Sequence, residues 1–140
     1  MTFEEKRAWV YGALAIISYT TYAVLLVGSA DGRPLVEVPY VGLVLWTVGV
    51  SILAAIVVQV VMVAIWPRQA DQRDERDREI ERFGVRVGQS FVVIGAVAAM
   101  VMAMADWDTF WIANVIYLAF VLSAVLEIVA RLAAYRWGFQ

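Results

Sequence analysis

Residues 40–66 read YVGLVLWTVGVSILAAIVVQVVMVAIW, a stretch without any charged side chain. About 20 consecutive apolar residues are enough to cross the hydrocarbon core of a bilayer as a helix. A chain of 140 residues is too small to bury such a stretch inside a water-soluble core. This stretch therefore predicts a membrane-spanning helix.

Three further apolar runs have similar lengths, at about residues 8–28, 85–105 and 109–132. Because lipid offers no hydrogen bonds, the backbone N–H and C=O groups of each run must pair within the run, which requires a helix. Short links make successive helices antiparallel. We therefore predict one all-α domain over residues 1–140, an integral membrane up-down four-helix bundle that contacts the lipid bilayer.

The composition agrees with this class and argues against several kinds of chemistry. Hydrophobic residues make up 63% of the chain and charged residues only 17%, which is far from ordinary globular usage. The sequence contains no Cys and no His, the residues that supply thiol nucleophiles, imidazole bases and most zinc or haem ligands. We expect a non-enzymatic protein with no catalytic residue, no metal and no cofactor. A net charge of −2 gives no reason to expect nucleic-acid binding.

The positions of the cations predict the orientation in the membrane. Lys and Arg beside a span are retained on the cytoplasmic side. With four spans, ten cations fall on one side and Arg33 alone falls on the other. The ten are Lys6, Arg7, Arg68, Arg73, Arg76, Arg78, Arg82, Arg86, Arg131 and Arg136. Both termini and the charged segment of residues 67–84 are therefore predicted to be cytoplasmic.

The two halves of the chain also suggest a repeat of two helical hairpins. Arg7 and Asp31 flank the first run as Arg82 and Asp106 flank the third, at a common offset of 75 residues. Both copies would enter the membrane from the same side, so the repeat would be parallel rather than inverted. Chance is the alternative explanation of this match.

The charged segment before the third run is predicted to be helical. Residues 68–86 contain six arginines and six acids, and opposite charges recur at spacings of three and four, as in Glu75 with Arg78 and Glu79 with Arg82. One interpretation is a solvated extension of the third helix whose arginines reach lipid phosphates. The other is a docking helix for a cytoplasmic protein or for a second copy of the chain. Its candidate contact residues are Asp74, Glu75, Arg76, Asp77, Arg78 and Glu81.

The run DERDREIERFG at residues 74–84 resembles a signature of small uncharacterised bacterial four-helix membrane proteins, in which a DERD-x-x-I-E type motif precedes the third transmembrane helix. The opening FEEKRAW at residues 3–9 is similar to the start of a group of membrane proteins from actinobacteria and their neighbours. Such families have no assigned reaction, and some members are encoded beside small helix-turn-helix regulators. The resemblance implies a bacterial cytoplasmic (inner) membrane location and a regulatory or accessory role, and it supplies no catalytic residue.

A few polar residues lie inside the apolar runs. Glu127 is the only acid well inside a span, and Gln59 and Gln89 have a similar predicted depth. Because an ionisable group in lipid is costly, Glu127 is a candidate proton- or cation-binding group of a small oligomeric transporter or channel, our alternative hypothesis. The structural interpretation is an ion pair with Arg131, four residues later. These four residues form the candidate ligand or ion site.

Other polar and small residues predict helix packing. The run Ser18-Tyr19-Thr20-Thr21-Tyr22 gives the first span a polar centre, for which we predict interhelix hydrogen bonds, with a pore lining as the alternative. Asn114 and Thr47 are predicted to bridge the fourth and second helices. Glycines and alanines recur along one side of the third run and allow close helix approach, within the bundle or between copies. A homo-oligomer is expected for so small a bundle.

Overall fold

The computed structural model describes residues 3–68 and 75–138. This part of the chain is all-helical, which confirms the predicted all-α class. Its four long helices are α1 (Phe3–Ala30), α2 (Tyr40–Ile65), α3 (Glu75–Met104) and α4 (Thr109–Trp137), and a short 3-10 helix (Leu35–Glu37) lies between α1 and α2. Each long helix has the length and apolar character needed to cross a membrane, which fits a multi-pass membrane protein.

The four helices contain the four apolar runs to within one residue. The largest extension beyond a run is in α3, which begins at Glu75, ten residues before the apolar part. The helical state predicted for the charged segment is therefore observed from Glu75 onward, and Asp74 lies outside the described residues. At 1.5 Å per residue, the 30 residues of α3 are about 45 Å long. A hydrocarbon core is only about 30 Å thick, so α3 is longer than a membrane span requires.

Interhelix contacts show that successive helices are antiparallel. As α1 advances from Tyr11 to Ser18, its hydrogen-bonding partner in α2 retreats from Gln59 to Ser51. The same reversal relates α1 to α4 and α3 to α4. Substantial packing joins α3 to α4, α4 to α1 and α1 to α2, and the α3–α4 pair is the most extensive. We call the end where α1 and α3 begin the charged end, and the other the far end.

Both hairpin turns contain an aspartate with left-handed backbone, Asp31 at φ 47° and Asp106 at φ 57°. Aspartate is one of the few residues other than glycine that tolerates this conformation. After α3, the amides of Asp106 and Trp107 donate to the carbonyls of Ala103 and Met102 at 3.2 and 3.0 Å. This Schellman arrangement satisfies carbonyls that the helix end leaves unpaired. The two aspartates are the pair related by the offset of 75, although the repeat itself stays a prediction.

A buried cluster at the far end packs the 3-10 link against α1 and α4. Its members are Tyr22, Leu26, Ala30, Val38 and Phe110, each no more than 7% exposed. Most other large apolar side chains of the bundle face outward, α2 above all. Outward apolar side chains are what a lipid-facing helix requires.

Candidate functional site at the charged end

The glycines of α3 bring its backbone against α4. A Cβ atom added at Gly88 would lie 2.8 Å from the carbonyl oxygen of Ser123, and one added at Gly84 would lie 2.7 Å from Cγ of Arg131. At Gly84 the carbonyl oxygen of Glu127 is also only 3.0 Å away. At both positions any side chain larger than that of glycine would clash with α4, and small residues are common where two helices cross at short distance. The stripe of small residues therefore serves packing within the chain.

Arg131 of α4 lies over Gly84 and links two acids. Its Nη2 donates to Oε1 of Glu127 at 2.5 Å and lies 3.9 Å from Oε1 of Glu81 in α3. The side chain of Arg131 is 17% exposed and that of Glu127 is 28% exposed. The Nε of Arg131 is buried without a hydrogen-bond partner in the described part of the chain. The i,i+4 pair that the sequence predicts is therefore formed, and it extends across to the charged segment.

Tyr135, one turn after Arg131, holds the charged segment at a second point. Its hydroxyl donates to Oδ1 of Asp77 at 2.6 Å. The Nη2 of Arg76 donates to the Tyr135 carbonyl at 3.4 Å, and the guanidinium lies 5.9 Å from the ring centroid. Ile80, between Asp77 and Glu81, is fully buried. One face of the charged segment is therefore fixed to the rest of the bundle.

The opposite face of the segment is open. We call it the exposed charged face, and it consists of Glu75, Arg78, Glu79, Arg82 and Arg86, all exposed. In the described part of the chain, no ion pair joins Glu75 to Arg78 or Glu79 to Arg82. Such pairs gain only a few tenths of a kcal/mol in water, too little to fix two long side chains.

The six candidate contact residues are thus divided between the two faces. Asp77 and Glu81 contact α4, and Arg76 is exposed but bonded to Tyr135. Glu75 and Arg78 belong to the exposed charged face, and the sixth residue, at position 74, is not among those described. A partner would therefore meet only part of the predicted set without displacing contacts within the chain.

The two glutamines of the candidate ion site lie apart from the Glu127–Arg131 pair. The side-chain oxygen of Gln59 accepts a hydrogen bond from the Tyr11 hydroxyl at 3.0 Å, between α2 and α1. Gln89 is exposed on the surface of α3. In the described part of the chain, no hydrogen bond joins either glutamine to the ion pair. The structure brings together Glu127, Arg131 and Glu81 instead.

Toward the far end, hydroxyl and amide groups do connect helices. The Tyr22 hydroxyl of α1 donates to Oδ1 of Asn114 in α4 at 2.5 Å. Thr47 of α2 and Tyr117 of α4 have their hydroxyl oxygens 3.1 Å apart. The predicted bridge from α2 to α4 is therefore made by Thr47, whereas Asn114 bonds to α1. The tyrosine rings of residues 19, 22 and 117 pack against one another in the same region.

The acidic side chains at the charged end lie against donor groups of α4. Within residues 3–68 and 75–138, no group of three or more His, Cys, Asp or Glu side chains could hold a metal ion. Glu127 and Glu81 both face the same guanidinium, and Asp77 accepts from a phenol. The contact of Asp77 with Tyr135 was not predicted from the sequence because these two residues are 58 positions apart. The available signal was the spacing of four between Arg131 and Tyr135, which puts both on one face of α4.

Comparisons with known proteins give no match to a family model, to a curated protein or to a solved structure. The resemblance of residues 74–84 and 3–9 to bacterial membrane protein families therefore stays a prediction.

Proposed function

We propose that this chain is an accessory or regulatory protein of the bacterial cytoplasmic membrane, with both termini in the cytoplasm, whose exposed charged face binds a cytoplasmic protein. The role is non-enzymatic. The observation that carries the proposal is the continuity of α3, which runs unbroken from Glu75 to Met104. A charged, solvent-facing helix is thereby joined rigidly to an apolar span.

The contacts with α4 support this role because they order the segment before any partner arrives. Tyr135 holds Asp77, Arg131 lies near Glu81, and Ile80 is buried between these two points. A surface that is already ordered loses less conformational freedom when it binds, which favours affinity. The exposed charged face is therefore presented in one fixed orientation.

The charge pattern of the exposed face favours a protein partner over a simple lipid surface. Glutamates at 75 and 79 alternate with arginines at 78, 82 and 86. Recruitment to anionic lipid needs clustered cations without intervening acids. A mixed pattern instead suits a complementary pattern of charges on another protein, where it contributes specificity. A second copy of the chain carries such a pattern and is the other occupant to test.

The alternative, a small oligomeric transporter or channel with Glu127 as the ion-binding group, gains no support from the contacts of this residue. Glu127 is bonded to Arg131, and Arg131 is supported by the neighbouring helix. An acid held by a cation favours a structural role. We expect proteoliposomes of the wild-type protein to show no proton or monovalent-cation flux above empty vesicles. Flux that is lost in Glu127→Gln would instead establish the alternative.

Site-specific photo-crosslinking in cells tests the proposal. A benzophenone amino acid at Glu79 or Arg82 should give a discrete crosslinked product. The matched control is Ile94, which is 62% exposed on the same helix but lies in its apolar part. The product should be absent at Ile94, and the product from position 82 should be lost when the signs of Glu75, Arg78 and Glu79 are reversed.

Three results separate the hypotheses. A product of the mass of this chain plus a different protein supports the proposal, and a product of twice the chain's own mass assigns the face to self-association. The absence of any product from both charged positions, at normal expression and membrane location, contradicts the proposal.

A further inference from the structure

A pocket of about 590 Å³ opens at the charged end of the bundle, between the start of α1 and the last turns of α2 and α4. It is separate from the exposed charged face, which belongs to α3. Its lining residues within the described part of the chain are Lys6, Trp9, Val10, Met62, Trp66 and Arg136.

The polar groups of this pocket are cationic. The Nζ of Lys6 lies 4.4 Å from the centroid of the Trp66 ring, which places the ammonium between α1 and α2. Arg136 reaches the pocket from the last turn of α4. None of the six lining residues is acidic. The neighbouring Arg7 pairs with Glu4 at 3.9 Å, and among the described residues no acid forms an ion pair with Lys6 or Arg136.

The remaining walls are apolar or amphipathic. Met62 is buried at 5% exposure and forms the inner wall, whereas Val10 and Trp9 are 37% and 51% exposed at the mouth. Indole rings prefer the boundary between hydrocarbon and headgroups because they combine an apolar body with one N–H donor. The pocket therefore pairs a cationic rim with an apolar wall that continues along α1 and α2.

The position of the pocket along the helices matches the level of lipid phosphates. Lys6 precedes the apolar part of α1 by two residues, Trp66 directly follows α2, and Arg136 comes four residues after the apolar run of α4. All three therefore lie where spans give way to charged segments. If the spans cross the membrane as proposed above, this is the headgroup region of the cytoplasmic leaflet.

We infer that this pocket binds an anionic phospholipid, with the phosphate between Lys6 and Arg136 and an acyl chain along Val10 and Met62. The inference rests on the membrane placement of the proposed function. Two cations without an acid complement a headgroup with net negative charge, and they repel the choline cation of a zwitterionic lipid. Basic pockets between helices on the cytoplasmic side are suited to such headgroups.

Native mass spectrometry in a non-ionic detergent tests this inference. The full-length protein is mixed with equal amounts of phosphatidylglycerol and phosphatidylcholine, and the retained lipid is counted. The wild-type protein should retain phosphatidylglycerol preferentially as one bound molecule. Because each cation near a headgroup is worth roughly a fivefold change in affinity, Lys6→Gln with Arg136→Gln should lower phosphatidylglycerol affinity roughly 30-fold.

Two further variants keep the test specific. Arg82→Gln with Arg86→Gln removes the same charge at the same end of the bundle but outside the pocket, and it should keep the preference. Val10→Trp keeps both cations and fills the mouth of the pocket from an exposed position, and it should lower retention of phosphatidylglycerol while the helical circular dichroism signal is unchanged.

The outcomes separate this inference from the proposed function. Equal loss in the two charge-removed variants, or no headgroup preference in the wild-type protein, overturns the pocket as the site while leaving the membrane placement and the crosslinking result unaffected. A wild-type protein that is recovered in buffer without detergent and retains no lipid of either kind would overturn the membrane placement, on which both proposals rest.

Discussion

The two hairpins of the bundle use glycine in opposite ways. In α3 of the second hairpin, Gly84 and Gly88 face α4 so closely that an added Cβ would overlap with its backbone or side chains. In α2 of the first hairpin, Gly42 and Gly49 have no atom of a neighbouring element within 4 Å of the corresponding position. A glycine in a membrane helix therefore indicates close packing only where another helix lies opposite it.

This difference shows what holds each hairpin together. Lipid tails are as apolar as leucine, so burying apolar side chains does little to drive one helix onto another in a bilayer. Close van der Waals contact and hydrogen bonds between helices supply the stabilisation instead. In the second hairpin, close contacts recur from Gly84 to Gly95, and hydrogen bonds join the two helices at the charged end. The first depends on isolated bonds such as Tyr11 to Gln59 and Ser18 to Ser51. We therefore expect the second hairpin to be the more stable unit.

The largest change in the free energy of unfolding is expected when a methyl group is added to a glycine that faces another helix, compared with one that does not. Gly88→Ala places a Cβ 2.8 Å from the Ser123 carbonyl oxygen, so α3 and α4 must separate, at a cost of roughly 1 to 3 kcal/mol. Gly49→Ala meets open space and should be neutral or stabilising by up to about 1 kcal/mol, because alanine is the better helix former. Reversible unfolding in mixed detergent micelles, followed by circular dichroism, measures both.

Gly49→Ala is the matched control, since it is the same change in a span of the other hairpin. Equal free energies of unfolding for the two variants would contradict the asymmetry between the hairpins. A destabilised Gly49→Ala would show that α2 has a close neighbour in the membrane, such as a second copy of the chain.

The all-helical fold class could be predicted from the sequence because a bilayer offers no hydrogen bonds to the backbone. Each apolar run must be helical in lipid, whatever its neighbours are. The contacts between helices could not be predicted in the same way. The flanking charges predict how deep a residue lies along its span, and they predict a similar depth for Gln59 and Gln89. Rotation about the axis was not predicted, although Thr47, Ser51 and Gln59 recur in α2 at multiples of four and each bonds to a neighbouring helix.

The candidate site shows the same limit. The pair of Glu127 with Arg131 lies within one helix and follows from a spacing of four. The contact of Asp77 with Tyr135 depends on how α3 packs on α4, and that packing follows from where the glycines of α3 meet α4. Spacing along one helix therefore predicted the Glu127–Arg131 contact but not the contacts between α3 and α4.

A smaller effect is expected at the charged end of the second hairpin. Tyr135→Phe removes the hydroxyl that donates to Asp77 at 2.6 Å and leaves the ring in place. A hydrogen bond to a charged group is worth roughly 1.5 to 3 kcal/mol, and partial exposure of Asp77 puts the expected loss near the lower value. Hydrogen exchange by mass spectrometry should show faster exchange of the amides between Asp77 and Gly84.

The same measurement carries its own internal control. Exchange in the apolar part of α3, after Gly88, should be unchanged, because the glycine contacts there do not involve Tyr135. If the amides of residues 77–84 keep their wild-type protection, the Tyr135 hydroxyl does not hold the charged segment, and Ile80 and the Arg131–Glu81 contact would have to account for its order.

The smallest effect is expected in the first hairpin, where Tyr11→Phe removes the hydroxyl that donates to Gln59 at 3.0 Å. Hydrogen bonds between membrane helices average roughly 0.6 kcal/mol, because the separated helices find other partners. The free energy of unfolding in mixed micelles should therefore decrease by less than it does in Tyr135→Phe. Since α1 also packs on α4, with Gly12 against Ile128, α1 should keep its place and only α2 should loosen. A loss equal to that of Gly88→Ala would mean that this single bond, rather than close packing, governs the stability of the bundle.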